Sequence, residues 1–188
     1  MPSQTKQAII DAFLQLAGQR TLEKITVRDV VDACGINRNT FYYHFHDIYA
    51  VIEGLCAQAV ETLPQGGTIE ELMTVFVKGA FSFSDRYEKA SRQLALSLGR
   101  DGIERCFAAT DLDKRIVEAL RSSQGEANDL HYDHVATLFV RHAVIGLLVD
   151  VVHSKKKPDK ERLICEIGRL CALFGAQQGE IQTKEELV

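Results

Sequence analysis

An all-α fold is what this 188-residue sequence predicts, and three observations carry the prediction. Apolar residues recur three and four apart in nearly every long segment, the period of a helix with one buried face, and no strand-like alternation appears. Breaks such as Pro64-Gln65-Gly66-Gly67 and Ser154-Lys155-Lys156-Lys157-Pro158 fall between those segments. Finally, Thr26 to Phe45, TVRDVVDACGINRNTFYYHF, reads as two short helices joined by a tight turn.

The first helix is predicted from Thr5 to Gly18, with Ile9, Phe13, Leu16 and Ala17 on one side. A polar link to Lys24 follows, fastened by Ile25. Thr26 can cap the second helix while Asp29, three residues on, completes a capping box. Val27, Val30, Val31 and Cys34 then make its buried face. Gly35 stands where the chain must turn sharply into the left-handed region, and Ile36 points back to the core. Asn37 caps the third helix, which puts Arg38, Asn39 and Thr40 in its first turn. Phe41 and Phe45, four apart, anchor one face.

Tyr42, Tyr43 and His44 lie between those anchors and spread over a wide arc, so they cannot all be core. Two readings stand side by side. Phenols and an imidazole at a helix surface can hydrogen-bond phosphates, and aromatic clusters also pack against a following helix. A first turn carrying Arg, Asn and Thr is the part of a helix-turn-helix that meets base edges in the major groove.

Residues from about Lys6 to Leu55 resemble the N-terminal DNA-binding domain of TetR-family transcriptional regulators. The most specific segment is Gly35-Ile36-Asn37-Arg38-Asn39-Thr40-Phe41-Tyr42-Tyr43-His44-Phe45, with a turn glycine, a capping polar residue and a Thr-x-Tyr-x-His-Phe ending. The resemblance implies that Thr26 and Arg28 touch phosphates, that Arg38, Asn39 and Thr40 face bases, with Asn37 at the head of the reader helix, and that Tyr42, Tyr43 and His44 grip the backbone. It departs from the family at the start of the fourth helix, where a phosphate-binding lysine is common and Ile48 stands here, preceded by His46 and Asp47. His46 is the substitute when protonated, although its ordinary pKa leaves it mostly neutral at pH 7.

Composition bounds the rest. With 46% apolar residues the chain can bury a sizeable core. A formal charge of −4 argues against a protein that coats polyanions, and residues 1–55 hold five Lys/Arg against six Asp/Glu, so any DNA contact must be local. Five cysteines without a CxxC pattern suit a reducing cytoplasm. No signal peptide is evident, and no run approaches 18 apolar residues, so no membrane association is expected. There is no GxSxG, P-loop, dinucleotide fingerprint or HExxH, hence no catalytic residues, cofactor or metal are assigned. His131 and His134 share a helical face, yet two imidazoles make an incomplete ligand set. The Lys155 to Lys157 run reads as a solvated inter-helix loop.

A fourth helix begins near Asp47 and carries Ile48, Val51, Ile52, Leu55 and Ala59 toward Leu63, where Pro64 to Gly67 gives the sharpest boundary signal. Further helices are expected from Thr68 to about Ser84, from Tyr87 to Leu98, in one or two pieces over Ile103 to Ser122, from Leu130 to His153 and from Asp159 to about Gln177, with a loop from Gly125 to Asp129. The division adopted is 1–50 for DNA binding and 51–188 for dimerisation and effector response.

The resemblance implies that the last two helices pair with their copies in a homodimer, and Leu147, Val151, Leu163, Ile167, Leu170 and Phe174 are the interface candidates, with Gly146 and Gly168 either permitting close helix approach or serving an ordinary interior role. It also implies a central effector cavity, for which Phe76, Phe81, Tyr87, Phe107, Phe139 and His142 are candidates, with Phe83 among the same aromatics. The expectation is therefore a cytoplasmic homodimeric repressor on a near-palindromic double-stranded operator, relieved by a small-molecule effector. A helical regulator controlled by a partner protein is the alternative, and an enzyme a distant third.

Overall fold

The computed structural model describes residues 4–124, 130–154 and 158–176, the side chains of 123, 124, 130–132 and 174–176 excepted. Within them the chain forms α1 Gln4–Ala17, a 3-10 turn Leu22–Lys24, α2 Val27–Cys34, α3 Arg38–His44 and α4 Ile48–Glu61. It continues through α5 Ile69–Arg86, α6 Glu88–Ala108, α7 Leu112–Gln124, α8 Leu130–His153 and α9 Lys160–Ala176.

The boundaries of the first four helices follow from side-chain chemistry. The Asp29 amide donates to Thr26 Oγ1 at 3.2 Å and the Thr26 amide to Asp29 Oδ2 at 2.9 Å, so two orphan donors at the head of α2 are satisfied reciprocally. Gly35 ends α2 at φ 67°, ψ 28°, where a Cβ is disfavoured. Asn37 Oδ1 accepts the Thr40 amide at 2.8 Å to open α3, and Asp47 Oδ1 accepts the Ala50 amide at 2.8 Å to open α4. Ile9, Ile10, Phe13, Val30, Phe41 and Val51 are sealed together at 0% exposure. That core also takes Ala90, Leu94 and Cys106 from α6, so the helix-turn-helix unit is not closed by its own residues.

A second core gathers Val60 and Leu63 from the end of α4 with Leu72, Met73 and Val77 of α5, Ile116 and Leu120 of α7, Val140 and Ile145 of α8, and Ile167 of α9. Helix α4 thus starts in one core and finishes in the other. The segment just after it is clamped by Arg115, which donates to the carbonyls of Leu63 and Pro64 at 3.0 and 3.3 Å. Helices α5 and α9 pack closely because Gly168 faces Thr74, whose Oγ1 would stand 2.8 Å from a Cβ there. Gly146 likewise faces Arg100. Both glycines therefore serve contacts inside the subunit, the interior role that the sequence left open for each.

Two points differ from the sequence reading. Helix α6 does not stop at Leu98; it bends at Gly99, which adopts φ 63°, ψ −176°, and runs on to Ala108. Residues 133–153 of α8 are also long and apolar enough by composition to span a membrane, with mean hydropathy 2.0. Here they pack on α6 and α7. The two buried charges on this segment are paired: Asp133 accepts from Arg121 Nε at 2.8 Å, and Arg141 Nε lies 3.2 Å from Asp113 Oδ1. Burial of a charge is tolerable only with such partners.

Candidate nucleic-acid interface and internal cavity

Helix α3 is seven residues long, and its two faces are sharply different. Phe41 and Phe45 are buried at 0% and 5% exposure, with ring centroids 6.0 Å apart, which anchors the helix in the N-terminal core. Arg38 and Asn39 are exposed in its first turn. Tyr42 and Tyr43 stand 55% and 85% exposed. Tyr42 leans edge-on against Phe41, and Tyr43 meets the half-buried His44 edge-on at 5.0 Å. Neither tyrosine is core, so both phenol groups are presented to solvent on rings held by aromatic neighbours.

The remaining candidates are partly committed to the fold. Thr26 is spent in the capping box of α2, and the Thr40 hydroxyl donates to Asn37 Oδ1 at 3.1 Å at the start of α3. Arg28 lies 3.6 Å from Asp32 on the exposed face of α2, and His46 Nε2 lies 3.7 Å from Asp47 Oδ2. Arg20 is paired with Asp29 at 3.1 Å. Hydrogen bonds from Thr26, first the hydroxyl and then the amide, hold the Asp29 carboxyl below its ordinary value, with Arg20 adding to the effect. Arg38 enters no ion pair among the described residues, which leaves its guanidinium available for a base or phosphate. Ile48, where the resemblance leads one to look for a lysine, is 9% exposed and part of the core. The next residue, Tyr49, is 54% exposed in the first turn of α4 and was not anticipated. The signal in the sequence was an aromatic residue between the buried positions Ile48 and Ala50.

A cavity of about 440 Å³ lies among α4, α5, α6 and α8, within the range of small-molecule sites. Phe76 and Phe107 line it, edge-to-face with centroids 5.3 Å apart, and Phe83 joins them. Phe81, Tyr87, Phe139 and His142 do not. Phe81 is buried with the Lys160 ammonium 5.6 Å from its ring centre, Tyr87 packs on Phe83 and under Arg86, and His142 Nδ1 meets Glu104 at 2.6 Å. The wall that sequence reasoning missed is α4 itself, through Leu55, Cys56, Ala59 and Thr62. Ile52, Leu94 and Cys106 belong both to this lining and to the helix-turn-helix core, while Leu63, Phe76 and Ile145 belong to the lining and the second core. The cavity therefore sits on the seam between the two cores. Cys56 and Cys106 both line it, and the neighbouring Cys106 thiol together with burial pushes Cys56 well above its ordinary pKa.

Of the interface candidates, Leu147 and Leu170 are exposed at 37% and 60%, whereas Val151 and Leu163 are partly buried and Ile167 is spent in the subunit's own core at 3%. The side chain of Phe174 lies outside the described residues, as do that of His131 and the whole of Lys155 to Lys157. Phe139 and Leu173, exposed at 56% and 57%, border the same apolar groove between α8 and α9 as Leu147 and Leu170. His134 is exposed, and no group of three or more metal-ligating side chains occurs among the described residues.

The comparisons fit this geometry. Residues 9–55 match the family model described as bacterial regulatory proteins, tetR family. No curated protein matches the sequence. Among solved structures, the fatty acid degradation regulator FadR from Bacillus halodurans is similar at TM-score 0.60 and 18% identity, over 95% of this chain and 98% of that one. The dihydroxyacetone kinase operon activator DhaS gives 0.65 at 14% identity, over 90% and 95%. The TetR family repressor AlkX from Dietzia sp. strain DQ12-45-1b gives 0.55 at 18% identity, over 90% and 94%. At such identities these likenesses speak to the fold. Residues 9–55 are thus similar to the tetR family of bacterial regulatory proteins, and the helical fold of the whole chain is similar to that of these solved regulators.

Proposed function

We propose that the protein is a homodimeric repressor that binds a near-palindromic double-stranded operator in the cytoplasm and is released by a small molecule held in the cavity between the two cores. The observation that carries this reading is the division of α3, whose Phe41 and Phe45 lock it into the core while Arg38, Asn39, Tyr42 and Tyr43 are left to solvent. Arg38 and Asn39 read bases, and Tyr42, Tyr43 and His44 hold phosphates, with Thr26, Arg28 and His46 as further backbone contacts. Residues 1–50 supply the reader and 51–188 the dimer and the switch. The exposed apolar residues of α8 and α9 pair with a second copy, which sets the separation of two reader helices at about one turn of DNA or a multiple.

Release works through α4. A ligand that binds one packing of α4 better than another shifts the population of reader-helix spacings, and linkage makes DNA and ligand oppose each other by the same factor. DhaS is described as an activator and AlkX as a repressor. Repression is the simpler mechanism for this chain, because an occupied operator blocks a promoter with no further contact. Capturing genomic fragments with the purified protein tests the reading. Enrichment of one near-palindromic sequence is expected, and recovery of random fragments would overturn it.

A further inference from the structure

Resting on the effector reading above, we propose that the cavity selects an uncharged, predominantly apolar ligand carrying at most one hydroxyl or carbonyl group, which the Ser84–Ser91 hydroxyl pair receives. Among the described residues lining the cavity there is no Asp, Glu, Lys, Arg or His. Its surface is made by side chains such as Leu55, Val75, Phe76, Leu98 and Leu148. The few polar groups there are already engaged within the protein. The Thr62 hydroxyl donates to the Ala59 carbonyl at 2.7 Å, Gln58 Nε2 donates to Gln7 at 3.2 Å, and the Ser91 hydroxyl donates to the Glu88 carbonyl at 3.0 Å.

An ionised ligand head entering this space would lose its water and gain no counter-ion, which is a cost that apolar contacts of the tail do not differ in offsetting. A neutral molecule with the same tail escapes it. Ser84 and Ser91 are the place where two hydroxyl groups of the lining approach, 3.5 Å apart; with the Ser91 hydrogen given to Glu88, a ligand carbonyl can accept from Ser84, and a ligand hydroxyl can also donate to Ser91 Oγ. The size of the cavity and its four helical walls suit a chain or compact ring system.

The test uses the full-length protein, which has no tryptophan to interfere with fluorescence. N-phenyl-1-naphthylamine, a neutral dye that brightens in apolar surroundings, is bound first, then displaced at neutral pH by decanol, decanoate or decylamine. Decanol should displace it at least roughly tenfold more effectively than either charged analogue. Decanoate should gain on decanol as the pH falls toward its own pKa, because the protonated acid carries no charge. Gly79→Met puts a long side chain into the cavity, at a lining position where a Cβ meets nothing within 4 Å, and it should weaken dye binding. Ser84→Ala should weaken decanol and leave the dye unaffected.

Equal displacement by decanoate or decylamine overturns the proposal, as does unaltered dye binding by Gly79→Met. A separate measurement, release by decanol of the DNA recovered in the fragment selection, distinguishes this from the effector reading. Cavity-dependent decanol binding without release leaves the ligand class standing and sinks the effector role.

Discussion

Two glycines with equally empty surroundings should respond to the same substitution in opposite directions. A Cβ built on Gly79 or on Gly99 meets no heavy atom within 4 Å, so packing does not enter either change. Gly79 lies inside the regular helix α5, where replacing glycine by alanine stabilises by about 0.5–1 kcal/mol through chain entropy. Gly99 forms the bend of α6 at φ 63°, ψ −176°, a region in which a side chain costs roughly 1–3 kcal/mol. The stiffer unfolded chain offsets about 0.4–1 kcal/mol of that, leaving a net loss of up to about 2.6 kcal/mol. For a chain of this size each kcal/mol moves Tm by roughly 2–4 °C. Gly99→Ala should therefore melt lower, by up to about 10 °C, and Gly79→Ala about 1–4 °C higher, in scans at one protein concentration because association shifts Tm by mass action. Leu98 and Ile103 flank the bend and line the cavity, so Gly99→Ala should also change binding of the neutral dye. Equal stabilisation by both substitutions would refute the reasoning, since α6 would then straighten at no cost.

Arg38→Ala should cost about 1–3 kcal/mol of operator affinity and relax preference at one base position, whereas Tyr43→Phe should weaken all sequences alike; binding to an operator and its single-base variants separates the two. Leu170→Asp places a charge on the exposed apolar face of α9 and should yield a folded monomer with reduced operator affinity in sedimentation and binding assays, and a dimer that survives would put the interface elsewhere. Asp113→Ala strands Arg141, which is 8% exposed; since Asp113 itself is 40% exposed, the loss should be roughly 1–3 kcal/mol by urea titration, below that of a fully enclosed pair. Asp29 has a lowered carboxyl pKa in the folded state, so its contribution is present above its unfolded value of 3.8 and is lost as pH falls through the lower folded value. Carboxyl NMR should show Asp29 titrating below that point, and α2 should loosen there.

What the sequence by itself determined is local. The capping box of Thr26 and Asp29, the left-handed turn at Gly35, the Asn37 cap and the four-residue spacing of Phe41 and Phe45 each need only neighbours in the chain, and each is present as read. The same period said that Tyr42, Tyr43 and His44 cannot all be core, but it left open whether the tyrosines pack on the next helix, and the tertiary structure gave both to solvent. Tertiary structure alone decided the rest. An aromatic side chain reads the same in a string of letters whether it lines a void or fills a core, which is why Phe76 and Phe107 reach the cavity while Phe81 and Tyr87 do not. Gly99 read as a stop because glycine breaks helices, and whether the chain ends or bends there depends on the helices packed around it. Ile167 and Leu170 belong to one apolar set on α9, but the direction of approach of α5 and α8 buries the first and exposes the second. The placement of α4 across two cores has the same origin: the void beside it is a property of four helices at once, and no one of them encodes it.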